Sequence, residues 1–415
     1  MWLWAITDLQ RFVLFAVLGA MVLPEALLHP GGTQVALADV LLIVALAAWL
    51  IVRAAGADTS TRLPRSGLLV ACLLFVGVNV ESLAWSDDPR ATIQFAIQLF
   101  EIVVVFTLVF ATLPRSLDVI QRGLAVFVAV TCVLAGVYMA GAADQIPGAP
   151  GKNTIGSFVA AGLVMAYALM LSKRGIGLQR MLLLAVVIDV AGLIDTASRG
   201  SVIGAVTALV VMSLLLRRHR LMTVGIVVVM GVGFLAIHGT DTRDKFDRNI
   251  KGSYNTSTVR VYSFRDAKRK IRQEPFLGSG AGTYTDYIPE LEITLPDPNN
   301  MFLLTWAEVG IGGLLALLFL LWRYTRLMFA VRNLPEREAA IAVGAGCVAL
   351  SLLVHFQFDV TWTRGTTSLA FATMGLMLAV QRLAGATADE RGLDLASPAR
   401  AVGTRTLPRI AHRAG

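Results

Sequence analysis

Apolar residues along this chain fall in long unbroken blocks rather than in stripes of helical or strand period. A bilayer-spanning helix needs about 20 consecutive apolar residues. Runs near that length begin near Phe12, Val35, Ser66, Thr92, Leu117, Thr154, Met181, Gly200, Leu221, Asn300, Ala339 and Thr366. The pattern predicts an all-α, polytopic membrane protein with about twelve transmembrane helices. One long polar stretch interrupts the blocks. Helices 1–9 are expected over residues 1–238, a loop over 239–299, helices 10–12 over 300–383, and a disordered tail over 384–415. The tail is rich in Ala, Arg, Gly and Thr and lacks apolar periodicity.

Composition agrees with a lipid environment: 56% of residues are hydrophobic and 15% charged. The direction of insertion follows from where Lys and Arg lie in the short connections. One set of connections holds Arg53, Arg62, Arg65, Arg115, Lys173, Arg174, Arg180, Arg217, Arg218, Arg220, Arg323, Arg326, Arg332 and Arg337. The other set holds only Arg90, Lys152, Arg199 and Arg364. The basic set belongs on the cytoplasmic side, so both termini are expected there and the loop 239–299 on the opposite face. The net charge of +8 is then a product of topology and contact with a phospholipid membrane, not a sign of nucleic-acid binding. Cys72, Cys132 and Cys347 all fall inside apolar runs, where they read as small core residues. The first apolar segment has no small-residue cleavage site, and a retained span is expected. No His, Cys or carboxylate cluster has metal-ligand spacing, so neither a metal nor a cofactor is expected.

Within the loop, "TVRVYSFRDAKRKIRQE" (258–274) repeats apolar positions at helical spacing beneath a basic face, and Pro275 stops it. The "GSGAG" that follows reads as a turn; no strand precedes it to make a phosphate loop. Three arginines of this face stand out. Arg199 sits in "DTASRGS", a very short turn between two spans, and Arg260 and Arg265 lie five apart on the loop helix. A guanidinium is permanently charged and grips phosphate oxygens with two parallel donors. Asn299 and Asn300 stand after Pro296 and Pro298 at the start of the tenth span, where Asn is a preferred N-cap and the free N–H groups favour an anion. Glu308 lies about 14 Å of helix rise below Asn299, so a structural lock is the expected role. His355 and Asp359, one turn apart, form a self-satisfying pair or a proton relay.

Taken in order, "AWSDDPRATI", "APGKNTIGSF", "SRGS", "STVRVYSFRDAKRKIRQEPFLGSGAGTY" and "NNMFLLTWAEVGIGG" resemble the successive segments of the O-antigen ligase and polymerase superfamily. The resemblance spans most of the chain and implies a GT-C-like membrane glycosyltransferase with a long periplasmic loop in a bacterial inner membrane. It implies a donor glycan carried on undecaprenyl pyrophosphate, a lipid A-core acceptor, and an inverting reaction without metal. Arg199, Arg260, Arg265 and Asn300 match the family's pyrophosphate-binding positions. Asn299 falls where the family has its catalytic His, whose task is to take the proton of the acceptor hydroxyl. An amide cannot do this at neutral pH, so this form is expected to be impaired at transfer, whether Asn299 replaces a His or another base serves. The same resemblance admits an O-antigen polymerase or an O-linked protein oligosaccharyltransferase. A lipid-linked glycan transporter would need paired broken helices, which the sequence does not display.

Overall fold

The computed structural model describes residues 8–22, 37–55, 66–142, 151–172, 176–217, 220–249, 256–288, 293–295, 297–359, 362 and 364–396. Among them, eleven helices are long and apolar enough to cross a membrane, and a twelfth apolar helix is shorter. In chain order they are α1 (Leu9–Ala20), α2 (Leu37–Ala54), α3 (Gly67–Ala84), α4 (Pro89–Thr112), α5 (Leu117–Met139), α6 (Lys152–Leu171), α7 (Ile176–Asp195), α8 (Arg199–Leu216) and α9 (Arg220–Asn249). There follow α10 (Thr256–Gln273), β1 (Asp286–Ile288), β2 (Ile293–Leu295), α11 (Met301–Val331), α12 (Glu336–His355) and α13 (Thr366–Ala396). All but α1 and α10 are of spanning length, in the order the apolar blocks predict.

Some details go beyond the sequence expectation. Helix α9 has its apolar span over Arg220–Ile237 and continues as helix to Asn249. Two three-residue strands pair antiparallel within the loop, Asp286 opposite Leu295, adding a small hairpin to an otherwise helical chain. Helix α13 continues to Ala396, so 384–396 is helical rather than irregular; residues 397–415 lie outside the described residues.

The bundle centres on α6 and α12. Fully 89% of the α6 span is buried, against 11% of α9, which sits at the periphery. Helix α6 packs against α5, α7, α8 and α12, and α12 packs against α8 and α13. Small residues allow this closeness: a Cβ on Gly204 of α8 would lie 2.4 Å from the Ser351 carbonyl of α12. Near the α12–α13 connection, Arg364 pairs with Asp39 of α2 and reaches Glu101 of α4 at 3.5 Å. Gln98 of α4 donates to the Trp362 carbonyl at 3.1 Å, so the stretch leading into α13 is held by both α2 and α4.

Helix α11 is broken at Gly310, whose φ of 68° and ψ of −164° lie in a region that only glycine occupies readily. The break frees the carbonyls of Ala307 and Glu308 and the amide of Ile311, each costly to leave bare in hydrocarbon. A strap made of residues 275–284 (PFLGSGAGTY) takes up all three. Ser279 N donates to Ala307 O at 3.2 Å, Gly280 N donates to Glu308 O at 2.7 Å, and Ile311 N donates to Pro275 O at 3.1 Å. Trp306 Nε1 adds a bond to Pro275 O at 3.0 Å, and Tyr284 N donates to the buried Glu308 Oε1 at 2.9 Å. The α3–α4 turn grips the other side of the strap: Trp85 Nε1 donates to Leu277 O at 2.8 Å, and Asp87 N to Ser279 O at 3.0 Å.

Gly310→Ala should be strongly destabilising. Its backbone would be strained by about 1–3 kcal/mol, and its Cβ would sit 2.0 Å from Phe276 O. The thermal midpoint in detergent should fall and protease should cut the strap sooner. Gly312→Ala, whose Cβ would meet only Val78 Cγ1 at 3.8 Å, should leave both unchanged. Equal tolerance of the two substitutions would show that strap and break are not coupled.

Candidate functional site

The N-termini of α4, α8 and α11 and the C-termini of α3 and α12 come together at one end of the bundle. Asn300 is the N-cap of α11: its Oδ1 accepts from Phe302 N at 3.1 Å and Leu303 N at 3.0 Å. These bonds satisfy two of the donors that a helix start leaves open. The other half of the amide points away from α11, and Nδ2 donates to Gln357 Oε1 at 3.2 Å. Met301 N donates to Phe356 O at 3.1 Å. The start of α11 is therefore joined to the end of α12 through side chain and backbone.

Asn299 stands just before the cap with φ of 55°, in the left-handed region. Asn and His are the non-glycine types enriched there, together with Asp. Its amide N donates to Asp297 Oδ1 at 2.6 Å, an Asx turn that fixes the local backbone. Asp297 itself is buried, and the Asn299 side chain is half-buried at the bundle end.

The α7–α8 turn meets the same α12 terminus. Gly200, directly after Arg199, packs so closely that a Cβ there would lie 2.8 Å from His355 Nδ1 and 3.3 Å from Phe358 Cβ. Ser201 Oγ lies 3.4 Å from His355 Nδ1, and His355 Nε2 lies 3.2 Å from Asp359 Oδ2. The order Ser, His, Asp has the look of a nucleophilic triad, but Ser201 is fully buried and shares its hydroxyl with Ser198 at 2.8 Å. Both nitrogens of His355 are thus engaged. The set ties the Arg199 turn to α12, and through Gln357 to Asn300.

Arg260 and Arg265 lie elsewhere on this end, on α10. With Val261, Phe264 and Lys268 they line one groove of about 440 Å³. The Arg260 Nε is shielded from solvent and meets no acceptor among the described residues. The Arg265 guanidinium sits over the Tyr262 ring, 5.8 Å from its centroid. Among the described residues, no hydrogen bond or ion pair joins Arg260 or Arg265 to the Asn300–Gln357–His355 set. Asp266, on the buried face of α10, accepts from Tyr284 Oη at 3.2 Å, which anchors the helix to the strap and so to α11.

Several parts of this end carry no pattern legible in the sequence. Gln357 is an ordinary polar residue, and Ser201 merely the last residue of "SRGS", until the fold sets them against Asn300 and His355. The strap's role lies in backbone pairing. Its only sequence signal is the run of glycines at 278, 280 and 282, all with positive φ, opposite a fourth at 310.

The fold is that of a multi-pass membrane protein with a polar, arginine-bearing site at one end of its bundle. Residues 184–318, from α7 through the first part of α11, match the O-antigen ligase family (Wzy_C). The match takes in Arg199, Arg260, Arg265, the strap and Asn299–Glu308, and supports the O-antigen ligase and polymerase superfamily, whose members are lipid-linked glycan transferases. No curated protein matches the chain.

Asn300→Ala should cost about 0.5–2 kcal/mol of stability through loss of the cap, with further loss where Gln357 is left unpaired. Asn300→Asp keeps the capping acceptor and adds a charge the helix start favours, which offsets the second oxygen it sets against Gln357 Oε1, so it should stay closer to the parent in a thermal shift measurement. A larger loss for Asp than for Ala would contradict the capping role.

Proposed function

We propose that the protein is an O-antigen ligase that moves a glycan from undecaprenyl pyrophosphate to the lipid A-core at the periplasmic face of the inner membrane. The reading is supported above all by one observation: the matched segment carries two arginines on a shared groove, a third in the turn beside His355, and the capped N-terminus of α11 at the same bundle end. The asymmetry of basic residues supports placing this end outside and both termini inside.

In this mechanism the acceptor hydroxyl attacks the anomeric carbon of the donor. The new C–O bond forms as the bond to pyrophosphate breaks, with inversion in a single displacement. Arg260, Arg265 and Arg199 hold the charge that gathers on the leaving pyrophosphate. The amides at the start of α11 are held by Phe356 and Asn300, so this helix contributes only the favourable end of its dipole. Guanidinium charge supplies the compensation, so the mechanism needs no metal. Glu308 acts through the strap, and His355 with Asp359 through the α8 turn; both are positioning groups. With Asn299 in the place of the base, the acceptor proton passes unassisted to water or to an oxygen of the leaving pyrophosphate, which slows the step without blocking it. The nearest carboxylate, Asp297, is buried and already accepts from Asn299 N. Extension of a carrier-linked glycan or transfer to a protein hydroxyl would use the same groups and differ only in acceptor.

Asn299→His should raise transfer by about 10²–10⁴-fold, the usual contribution of a positioned base. The substitution should be tolerated, because His is enriched in the left-handed backbone that position 299 adopts. Purified protein and variant, supplied with lipid-linked glycan and lipid A-core and read on a gel, provide the comparison. Carrier-linked glycan or a protein acceptor offered in parallel identifies the acceptor class. Equal and robust transfer by both forms would remove position 299 from the chemistry.

A further inference from the structure

On roughly the opposite face of α10 from the arginine groove, taking about 100° per residue, lies a second cavity of about 490 Å³. The end of α10, the start of α4 and the strap border it as a cleft open to solvent, and Ala307 of α11 forms one wall. Some of its polar groups are already engaged. Asp88 Oδ1 caps α4 through Arg90 N and Ala91 N, both at 3.0 Å. Lys270 Nζ donates to Thr285 O at 2.5 Å and lies over the Tyr284 ring. Thr283 Oγ1 donates to Gly280 O at 2.6 Å.

Four polar lining side chains, all exposed to solvent, have no hydrogen-bond or ion-pair partner among the described residues: Asp87, Gln273, Glu274 and Thr285. Two carboxylates and an amide make this wall poor at holding phosphate and well suited to hydroxyls. Carboxylates accept from O–H groups in charge-assisted bonds, and the amide both donates and accepts. The balance of charge changes across α10, with Arg260, Arg265 and Lys268 on one side and Asp87, Asp88 and Glu274, beside the single Lys270, on the other.

We propose that this cavity binds uncharged sugar units of a glycan chain, away from the bond that reacts. The proposal rests on the transferase reading and names a subsite for it. Ala307 lies seven residues beyond Asn300, about 10 Å of helix rise, so the bound units belong to a part of the glycan removed from the helix end. Binding energy gathered there from non-reacting units would orient the chain at the reacting end. The glycan is either the acceptor's saccharide or the donor's repeat, and the chemistry of recognition is shared.

Saturation-transfer NMR on the purified protein separates these sources with two soluble, phosphate-free probes: a dephosphorylated core oligosaccharide and an oligosaccharide of the O-antigen repeat. One of the two should bind, which identifies the source. The Asp87→Ala/Glu274→Ala double variant should bind it at least tenfold more weakly. That variant should keep its thermal midpoint and its affinity for undecaprenyl pyrophosphate, because neither side chain has an internal partner. Should it fail to fold, Gln273→Ala serves instead, with a smaller loss in the same direction. Absence of binding by the parent to either probe, or equal binding by parent and variant, overturns the cavity assignment. Unchanged pyrophosphate binding in that case would leave the transferase reading standing. Conversely, saccharide binding that depends on Asp87 and Glu274, in a protein that transfers nothing even as Asn299→His, would separate the two the other way.

Discussion

A helix that breaks inside a membrane must find partners for the backbone groups it releases, and α11 finds them in its own loop. The three exchanged hydrogen bonds between residues 275–280 and 307–311 satisfy the break at Gly310. They also fix where the strap lies, and through Tyr284 and Asp266 they fix α10. Helix α10 in turn separates a groove of arginines from a cavity of carboxylates. The layout of this end of the molecule therefore depends on one glycine conformation and the loop that answers it. The Glu308 carboxylate, expensive to bury, is accounted for by the same device: it accepts a strap amide instead of facing hydrocarbon.

The other half of the site is organised by α12. Its last turn receives Met301 N and Asn300 Nδ2 on one side and Gly200 and Ser201 on the other. Two helix N-termini that are far apart in sequence, those of α8 and α11, are thereby set beside one another. The Arg364 pairing with Asp39 and Glu101 secures the chain just beyond, where it turns into α13.

Much of this architecture was legible in the sequence for a simple reason. Spans reveal themselves because hydrocarbon demands long apolar runs, and α10 reveals itself because Val261, Phe264 and Ile271 repeat at helical spacing. That spacing also let Arg260 and Arg265, five apart, face broadly toward one site without being in line. The cap at Asn300 follows from residue type and position. The strap did not show itself, since its bonds run between backbone groups and leave no mark on side-chain chemistry. "GSGAG" therefore reads as a mere turn until Gly310 is seen opposite it. The His355–Ser201 contact joins residues 154 apart, a separation no local pattern encodes. The continuation of α13 past residue 384 was missed because helix there lacks the apolar signal of a span.

The central claim is that this end of the bundle recognises a lipid pyrophosphate through guanidinium geometry, independently of the residue at 299. Equilibrium binding of undecaprenyl pyrophosphate, free of sugar, tests it directly on the protein with Asn299 and on its Arg199→Lys, Arg260→Lys and Arg265→Lys variants. The account predicts saturable binding by the parent and a loss of at least tenfold in each Lys variant, because one ammonium does not reproduce the paired donors of a guanidinium. Binding by all three Lys variants at the parental affinity would contradict it.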